Sequence, residues 1–367
     1  MVAVITADGG PHCSGTLIGP HTVITAAHCG VGPTTFPTFA VFFGTSVGQS
    51  GSTVAISDAR VDPAFDATTL AHDIALLTLR EAAPVAPIAL DTVPIDASFV
   101  GQDVNVVGYG VTSATATDEG SRHVGQARVS AVSSLDFTVV PAPSQPCEGD
   151  SGGAALKTSA GASTLVGVVS QGDNACVDHA DFARIDVERT PFIDPYLAST
   201  APGTAQVGQK CLYDTQCKAG PCLQTSDAPG LWFCGGTCSQ SSDCPKGMTC
   251  SGGACRYPLP SPGAPGWSCT QDGDCEAGGA CIRNRSSNAQ VCSVRCDPAQ
   301  STCPSGFACQ GTSGVDFYCL ANPASPAGSA GCAIAPPASG DAPGVAAAAS
   351  FVLLALLSVS RRAANHG

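Results

Sequence analysis

Positive charge is scarce in this chain: 16 Lys and Arg face 29 Asp and Glu, a net charge of −13 over 367 residues. Nucleic acid favours basic surfaces, so a nucleic-acid partner is excluded. A leader is lacking too. Met1-Val2-Ala3-Val4-Ile5 carries no basic stretch and no long apolar core, and the sequence opens directly on a strand-like run. No C-x-x-C spacing occurs, which separates the cysteines from common zinc sites. Asp272-Gly273-Asp274 is too short for a calcium loop. No metal and no cofactor are expected.

Cysteine, by contrast, is abundant and unevenly spread. Four of the 21 precede residue 200, sixteen lie from Cys211 to Cys319, and Cys332 stands alone. That density reads as a disulfide scaffold in an oxidising compartment, so the protein is expected outside the cell or on its surface, with a leader upstream of Met1. Cys211, Cys217, Cys234 and Cys238 recur 58 residues on as Cys269, Cys275, Cys292 and Cys296, the mark of a duplication. Each repeat is too small for a large core and must be stapled. Eight cysteines allow about a hundred pairings, so the connectivity stays open. The repeats read as a protease-resistant stalk, or as binding modules in which Trp232, Phe233 and Trp267 contact a partner.

The first 200 residues are patterned differently. Short apolar runs at 2–6, 16–18, 23–25, 39–43, 54–56, 74–79, 104–107, 126–132, 137–140 and 165–169 alternate with Gly and Pro, which predicts strands of a sandwich or barrel pair. A closing helix is expected over 190–197, kept short by Pro191 and Pro195. Within this region stands Gly149-Asp150-Ser151-Gly152-Gly153. Glycines around a serine let backbone and substrate approach its hydroxyl. A serine nucleophile needs a base, and the base an orienting acid. Thr25-Ala26-Ala27-His28-Cys29 and His72-Asp73-Ile74 lie upstream, giving the order His, Asp, Ser. An α/β-hydrolase with the same G-x-S-x-G pattern places its acid and histidine after the serine, so that alternative falls. The bland alternative is a structural His28 beside a turn serine.

In these motifs, over roughly residues 1 to 200, the chain resembles the trypsin-like (chymotrypsin-fold) serine peptidases. The resemblance implies an all-β fold of two six-stranded antiparallel barrels, here followed by two small disulfide-rich modules and a C-terminal hydrophobic helix. It further implies that Ser151 attacks a peptide carbonyl, that His28 carries the proton, and that Asp73 orients His28. The N–H groups of Gly149 and Ser151 would form the oxyanion hole. Cys13 with Cys29, and Cys147 with Cys176, match two family disulfides, each stabilising by about 2–4 kcal/mol. Gln145, Ser170, Gln171, Gly172 and Ala180 match the substrate pocket, with Gln145 at its floor where trypsin-type enzymes carry aspartate. An Arg/Lys preference is therefore not implied, although Asp173 near the rim offers a carboxylate. Asp150 matches the aspartate that pairs with a freed N-terminal amine, whose Ile-Val-Gly-Gly start is not in this sequence. His12, His21, His72, His123, His179 and His366 match no motif and read as surface or structural residues.

The expected boundaries are a peptidase domain at 1–199, a linker at 200–209, one cysteine-rich repeat at 210–258, a linker at 259–267, a second repeat at 268–321, a disordered linker at 322–344, and an apolar helix with a basic tail at 345–367. Residues 345–360 are uncharged and as a helix span about 24 Å, slightly short for a bilayer. Cys332, this apolar run and Arg361-Arg362 together resemble the MYXO-CTERM sorting signal of myxobacteria. That resemblance implies cleavage near Cys332 and a lipid on it, the alternatives being a plain membrane anchor or a packed helix. The expected partners are a protein or peptide substrate and, through this tail, a membrane, the protein itself being a monomer. The competing functional reading is a catalytically silent homologue that binds through its cysteine-rich modules.

Overall fold

Alternating and continuous apolar runs become strands wherever both ends meet a turn. Asp8-Gly9-Gly10 turns the chain between β1 (Val2–Thr6) and β2 (Pro11–Gly19), with Gly9 at φ +87, a backbone region that favours glycine. With β3 (Thr22–Thr25), β4 (Phe39–Gly44), β5 (Gly51–Val61) and β6 (Ala75–Leu79), these strands close an antiparallel barrel in the order β1-β2-β3-β6-β5-β4. Val4, Leu17, Ile24, Val41, Leu76 and Leu77 fill it.

The second barrel is built from β8 (Asp103–Gly108), β9 (His123–Val132), β10 (Asp136–Pro141), β11 (Ala154–Ser159), β12 (Ala162–Gly172) and β13 (Ala180–Arg184), after a short β7 (Ala89–Leu90). Its order is β11-β8-β9-β10-β13-β12, closed by β11 pairing with β12, while β7 adds to β12 in parallel as a seventh strand. Phe137 stacks on Phe182 at 5.1 Å and meets the edge of Phe99 at 5.4 Å, an arrangement aromatic rings favour. The two-barrel expectation therefore holds.

The closing helix is longer than expected, running from α1 (Ile185–Glu188) through a wider turn at Arg189–Ile193 into α2 (Asp194–Ser199). Pro191 sits in the wide turn and Pro195 in the first turn of α2. Proline has no N–H to give, and these are positions where none is required. Ile185, Ile193 and Tyr196 pack the helix on the first barrel, and Tyr196 shares a 2.6 Å hydrogen bond with Thr78 of β6.

The structure, a computed structural model, describes residues 1–321 apart from 229, 277, 285–287, 300–302, 305–306 and 314–315. The expected linker 322–344, the apolar segment 345–367, Cys332, Arg361 and Arg362 lie outside the described residues. Among the described residues, no helix is long and apolar enough to cross a membrane. Each cysteine-rich repeat carries two similar four-cysteine units, four in all among the described residues. In each, the first cysteine pairs with the third and the second with the fourth: Cys211–Cys222 and Cys217–Cys234, Cys238–Cys250 and Cys244–Cys255, Cys269–Cys281 and Cys275–Cys292, Cys296–Cys309 and Cys303–Cys319. Each unit carries one two-stranded hairpin.

The segment 200–209, expected as a linker, touches the rest of the chain at two buried residues. Thr200 and Ala205 are buried, and the Tyr213 hydroxyl donates to the Thr200 carbonyl. The Tyr213 ring stacks on His21 of the first barrel at 3.7 Å. Beside it the Arg80 guanidinium lies 4.0 Å from the Trp232 ring and donates to the Leu212 carbonyl at 2.7 Å. Trp232, for which packing on the disulfides was the alternative to a partner contact, lies against the Cys211, Cys217, Cys222 and Cys234 cluster.

Candidate active site

Three loop ends converge between the barrels. His28 lies in a single helical turn, Ala27–Cys29, directly after β3, and the Cys13–Cys29 disulfide ties that turn to β2. Asp73 precedes β6 and is fully buried. Ser151 precedes β11, on the second barrel. The His28 Nδ1 lies 2.7 Å from Asp73 Oδ2, and the His28 backbone N–H donates to Asp73 Oδ1 at 2.9 Å. Asp73 only accepts, so Nδ1 carries the proton and Nε2 is left as an acceptor. Nε2 lies 2.9 Å from Ser151 Oγ. A fourth group completes the line: Ser170 Oγ donates to Asp73 Oδ2 at 2.6 Å.

The serine loop is braced from both sides. Cys147–Cys176 ties it to the loop after β12. Gly149 and Gly152 both have positive φ, and a Cβ on Gly152 would stand 2.2 Å from Thr25 Oγ1 and 2.3 Å from the Ser14 carbonyl oxygen. Any side chain there would drive the loop off the first barrel. The N–H groups of Gly149 and Ser151 make no hydrogen bond among the described residues. Asp150 is buried, its carboxylate accepting from Gly110 N–H at 2.8 Å and Cys147 N–H at 2.9 Å. Burial pushes its pKa up. Asp150 makes no ion pair with the Met1 amine; a cavity of about 160 Å3 lies beside it, lined by Val106, His123, Ser144 and Gln145 among others.

A second cavity, of about 390 Å3, opens next to Ser151 and is lined by Ser170, Gln171, Gly172, Asp173, Cys176 and Ala180. Gln145, expected at its floor, does not line it. Its amide donates at 2.8 Å to Asp173, which does line the cavity. Asp173 also accepts backbone N–H bonds from Ala175, Val177, Asp178 and His179. These donors, Asp178 foremost, hold its pKa far below the usual carboxylate range. Its oxygens are thus occupied by the loop rather than offered to a basic side chain.

Sequence reasoning missed Ser14. Its Oγ donates to the Gly149 carbonyl at 2.9 Å and accepts from Tyr109 N–H at 2.8 Å, while its backbone N–H donates to the Ser151 carbonyl at 2.8 Å. The only signal in the sequence is its place between Cys13 and Gly15.

The trypsin family's sequence profile matches residues 1–189, just over half of the chain. The chain belongs to the trypsin family. It is 33% identical over 114 residues to a trypsin of Saccharopolyspora erythraea, covering 30% of this chain and 50% of that protein. It is 33% identical over 110 residues to glucanase inhibitor protein 1 of Phytophthora infestans, covering 29% of this chain and 42% of the relative. A trypsin of Simulium vittatum is 31% identical over 105 residues, 28% of this chain and 40% of its own length. The chain thus spans half or less of the length of these curated relatives.

Proposed function

We propose that this trypsin-family chain is a serine endopeptidase hydrolysing peptide bonds through an acyl-enzyme. The observation that carries the reading is the unbroken hydrogen-bonded line Asp73–His28–Ser151, assembled from both barrels. Ser151 Oγ attacks the substrate carbonyl while His28 Nε2 takes its proton and passes it to the leaving amine. Asp73, held by three donors, fixes the tautomer of His28 and stabilises the imidazolium. The N–H groups of Gly149 and Ser151, unclaimed by any acceptor among the described residues, receive the oxyanion, each worth about 3–4 kcal/mol in the transition state. Asp150, anchored by Gly110 and Cys147, sets the turn between those two donors. The cavity beside Ser151 receives the side chain preceding the scissile bond. With Gln145 where trypsin-type enzymes carry aspartate, that subsite has no simple Arg/Lys preference.

The ten disulfides suit an oxidising compartment, so the peptidase acts outside the cell, as a monomer. Cys332 and the segment 345–367 with Arg361 and Arg362 serve it as a sorting or anchoring signal at the membrane. The test is covalent labelling by a fluorophosphonate, with Ser151→Ala as control and with the chain made both from Met1 and with any coding sequence found upstream of it. Labelling of the wild type and not of Ser151→Ala is expected, and Asp73→Asn should slow turnover about 10⁴-fold. No labelling of either wild-type form overturns the reading. It would favour the second one, a catalytically silent homologue binding through its cysteine-rich units, which the relative named as a glucanase inhibitor brings forward.

A further inference from the structure

Next to Asp73 in the chain lies a cluster of ionisable side chains that the proposed mechanism does not use. Asp62 follows β5, His72 immediately precedes Asp73, and Glu188 closes α1. One carboxylate oxygen of Asp62, one ring nitrogen of His72 and one carboxylate oxygen of Glu188 lie within 4.8 Å of one another. Asp62 is 5% exposed and Glu188 2%. His72 Nδ1 lies 2.6 Å from Glu188 Oε1. Asp62 Oδ1 accepts from Ala64 N–H at 2.8 Å, but Asp62 Oδ2 is buried and meets no donor among the described residues, its carboxyl group lying against that of Glu188. Neither carboxylate is paired with a Lys or Arg among the described residues. Two buried carboxylates sharing one imidazole are short of positive charge, and a buried charge needs a partner.

We propose that Asp62, His72 and Glu188 form a binding site for one divalent transition-metal ion of the zinc class. The donor set is one imidazole nitrogen and two carboxylate oxygens, three protein ligands with a fourth position for water. Bonds of about 2.0–2.2 Å place tetrahedral ligand atoms about 3.4 Å apart, so the 2.6 Å His72–Glu188 contact opens by about 0.8 Å on binding. His72 loses its Nδ1 proton on binding. Its side chain is 28% exposed, which gives the ion a route from solvent. An imidazole among so few oxygens suits zinc better than calcium.

The site reaches the triad through one turn of backbone. Ile74 N–H donates to the His72 carbonyl at 2.8 Å, closing a three-residue turn around Asp73, and Asp62 N–H donates to the Ile74 carbonyl at 2.9 Å. An ion gripping Asp62 and His72 clamps that turn. Its charge also opposes the positive charge that His28 acquires on taking the Ser151 proton, so occupancy slows acylation.

The full chain, stripped with a chelator and dialysed against zinc chloride, should retain one zinc per chain by elemental analysis, with its Tm raised by several degrees. His72→Ala and Glu188→Gln should each lose that equivalent and the Tm shift, with retained zinc at least tenfold lower at the same free zinc. Fluorophosphonate labelling of Ser151 should slow at least tenfold with zinc in the wild type, and zinc should leave the labelling rate of His72→Ala unchanged. Zinc retention and Tm do not depend on peptidase activity, so they decide the site even where no labelling occurs. No uptake by the wild type, or uptake that both variants keep, overturns the proposal. No uptake together with a more heat-stable Glu188→Gln would assign the cluster to a proton shared between the two carboxylates.

Discussion

Ser14 is bonded at its hydroxyl, its N–H and its carbonyl, and every bond reaches the serine loop or the strands beside it. Removing the hydroxyl leaves the Gly149 carbonyl and the Tyr109 amide unpaired in the interior, at about 1–3 kcal/mol each. Ser14→Ala is therefore expected to lower Tm by several degrees and to slow fluorophosphonate labelling of Ser151 about tenfold or more, both read on the same preparation. A labelling rate within twofold of wild type would remove Ser14 from the positioning of Ser151. The contrast between Ser14 and the triad shows what the sequence carries. His28, Asp73 and Ser151 are legible because their chemistry demands fixed residue types in local motifs. Ser14 acts across 135 residues of chain on a backbone carbonyl, and a backbone carbonyl leaves no mark in a sequence. Asp62 and Glu188 were silent because only the fold brings their side chains to His72.

Among the elements, the loop after β12 departs furthest from expectation. Asp173 is visible in the sequence as a rim carboxylate, but the N–H groups that curl around it are not, because they depend on how residues 175–179 turn. Its pKa is depressed on folding, so its contribution is present above the ordinary carboxylate range and is lost only as pH falls through the folded value, far into acid. The pocket wall should thus stay ordered below pH ~3, which loop-specific hydrogen exchange would show, whereas Asp173→Asn should loosen it at neutral pH and lower kcat/KM about tenfold. Cleavage-site profiling should show no enrichment of Arg or Lys before the scissile bond. The strands that pattern reading missed are informative in the same way. Ala154–Ser159 carries a single large apolar residue, Leu156, and Ala180–Arg184 a single one, Phe182. Both are strands because closing the second barrel requires them, not because their own sequence asks for one. The cysteine pairing was illegible on combinatorial grounds alone, and the hairpin registers do not give it away: they set Cys222 opposite Cys234 and Cys250 opposite Cys255, yet each of these four bonds a cysteine outside its own hairpin.

At the scale of the whole molecule, the first cysteine-rich unit is seated on the peptidase rather than hung from it. Burial lowers the Arg80 pKa to about 10, still well above neutrality, so the guanidinium stays charged over the Trp232 ring, a contact worth about 0.5–2 kcal/mol. Arg80→Ala is expected to speed cleavage within 200–209 by an added protease about tenfold while leaving Ser151 labelling within twofold of wild type. Equal cleavage of both proteins would mean that the Tyr213–His21 stack holds the unit alone. The interleaved bridges have a mechanical meaning as well. Drawn out without them, the stretch from Cys211 to Cys319 would reach roughly 360 Å. With them, tension entering at Cys211 runs only to Cys217, crosses to Cys234, and repeats that shortcut in every unit. The hairpins stay slack and off the load path. The tail is thus a tether whose taut length is capped near half that figure, roughly 180 Å, for as long as its sulfurs stay oxidised.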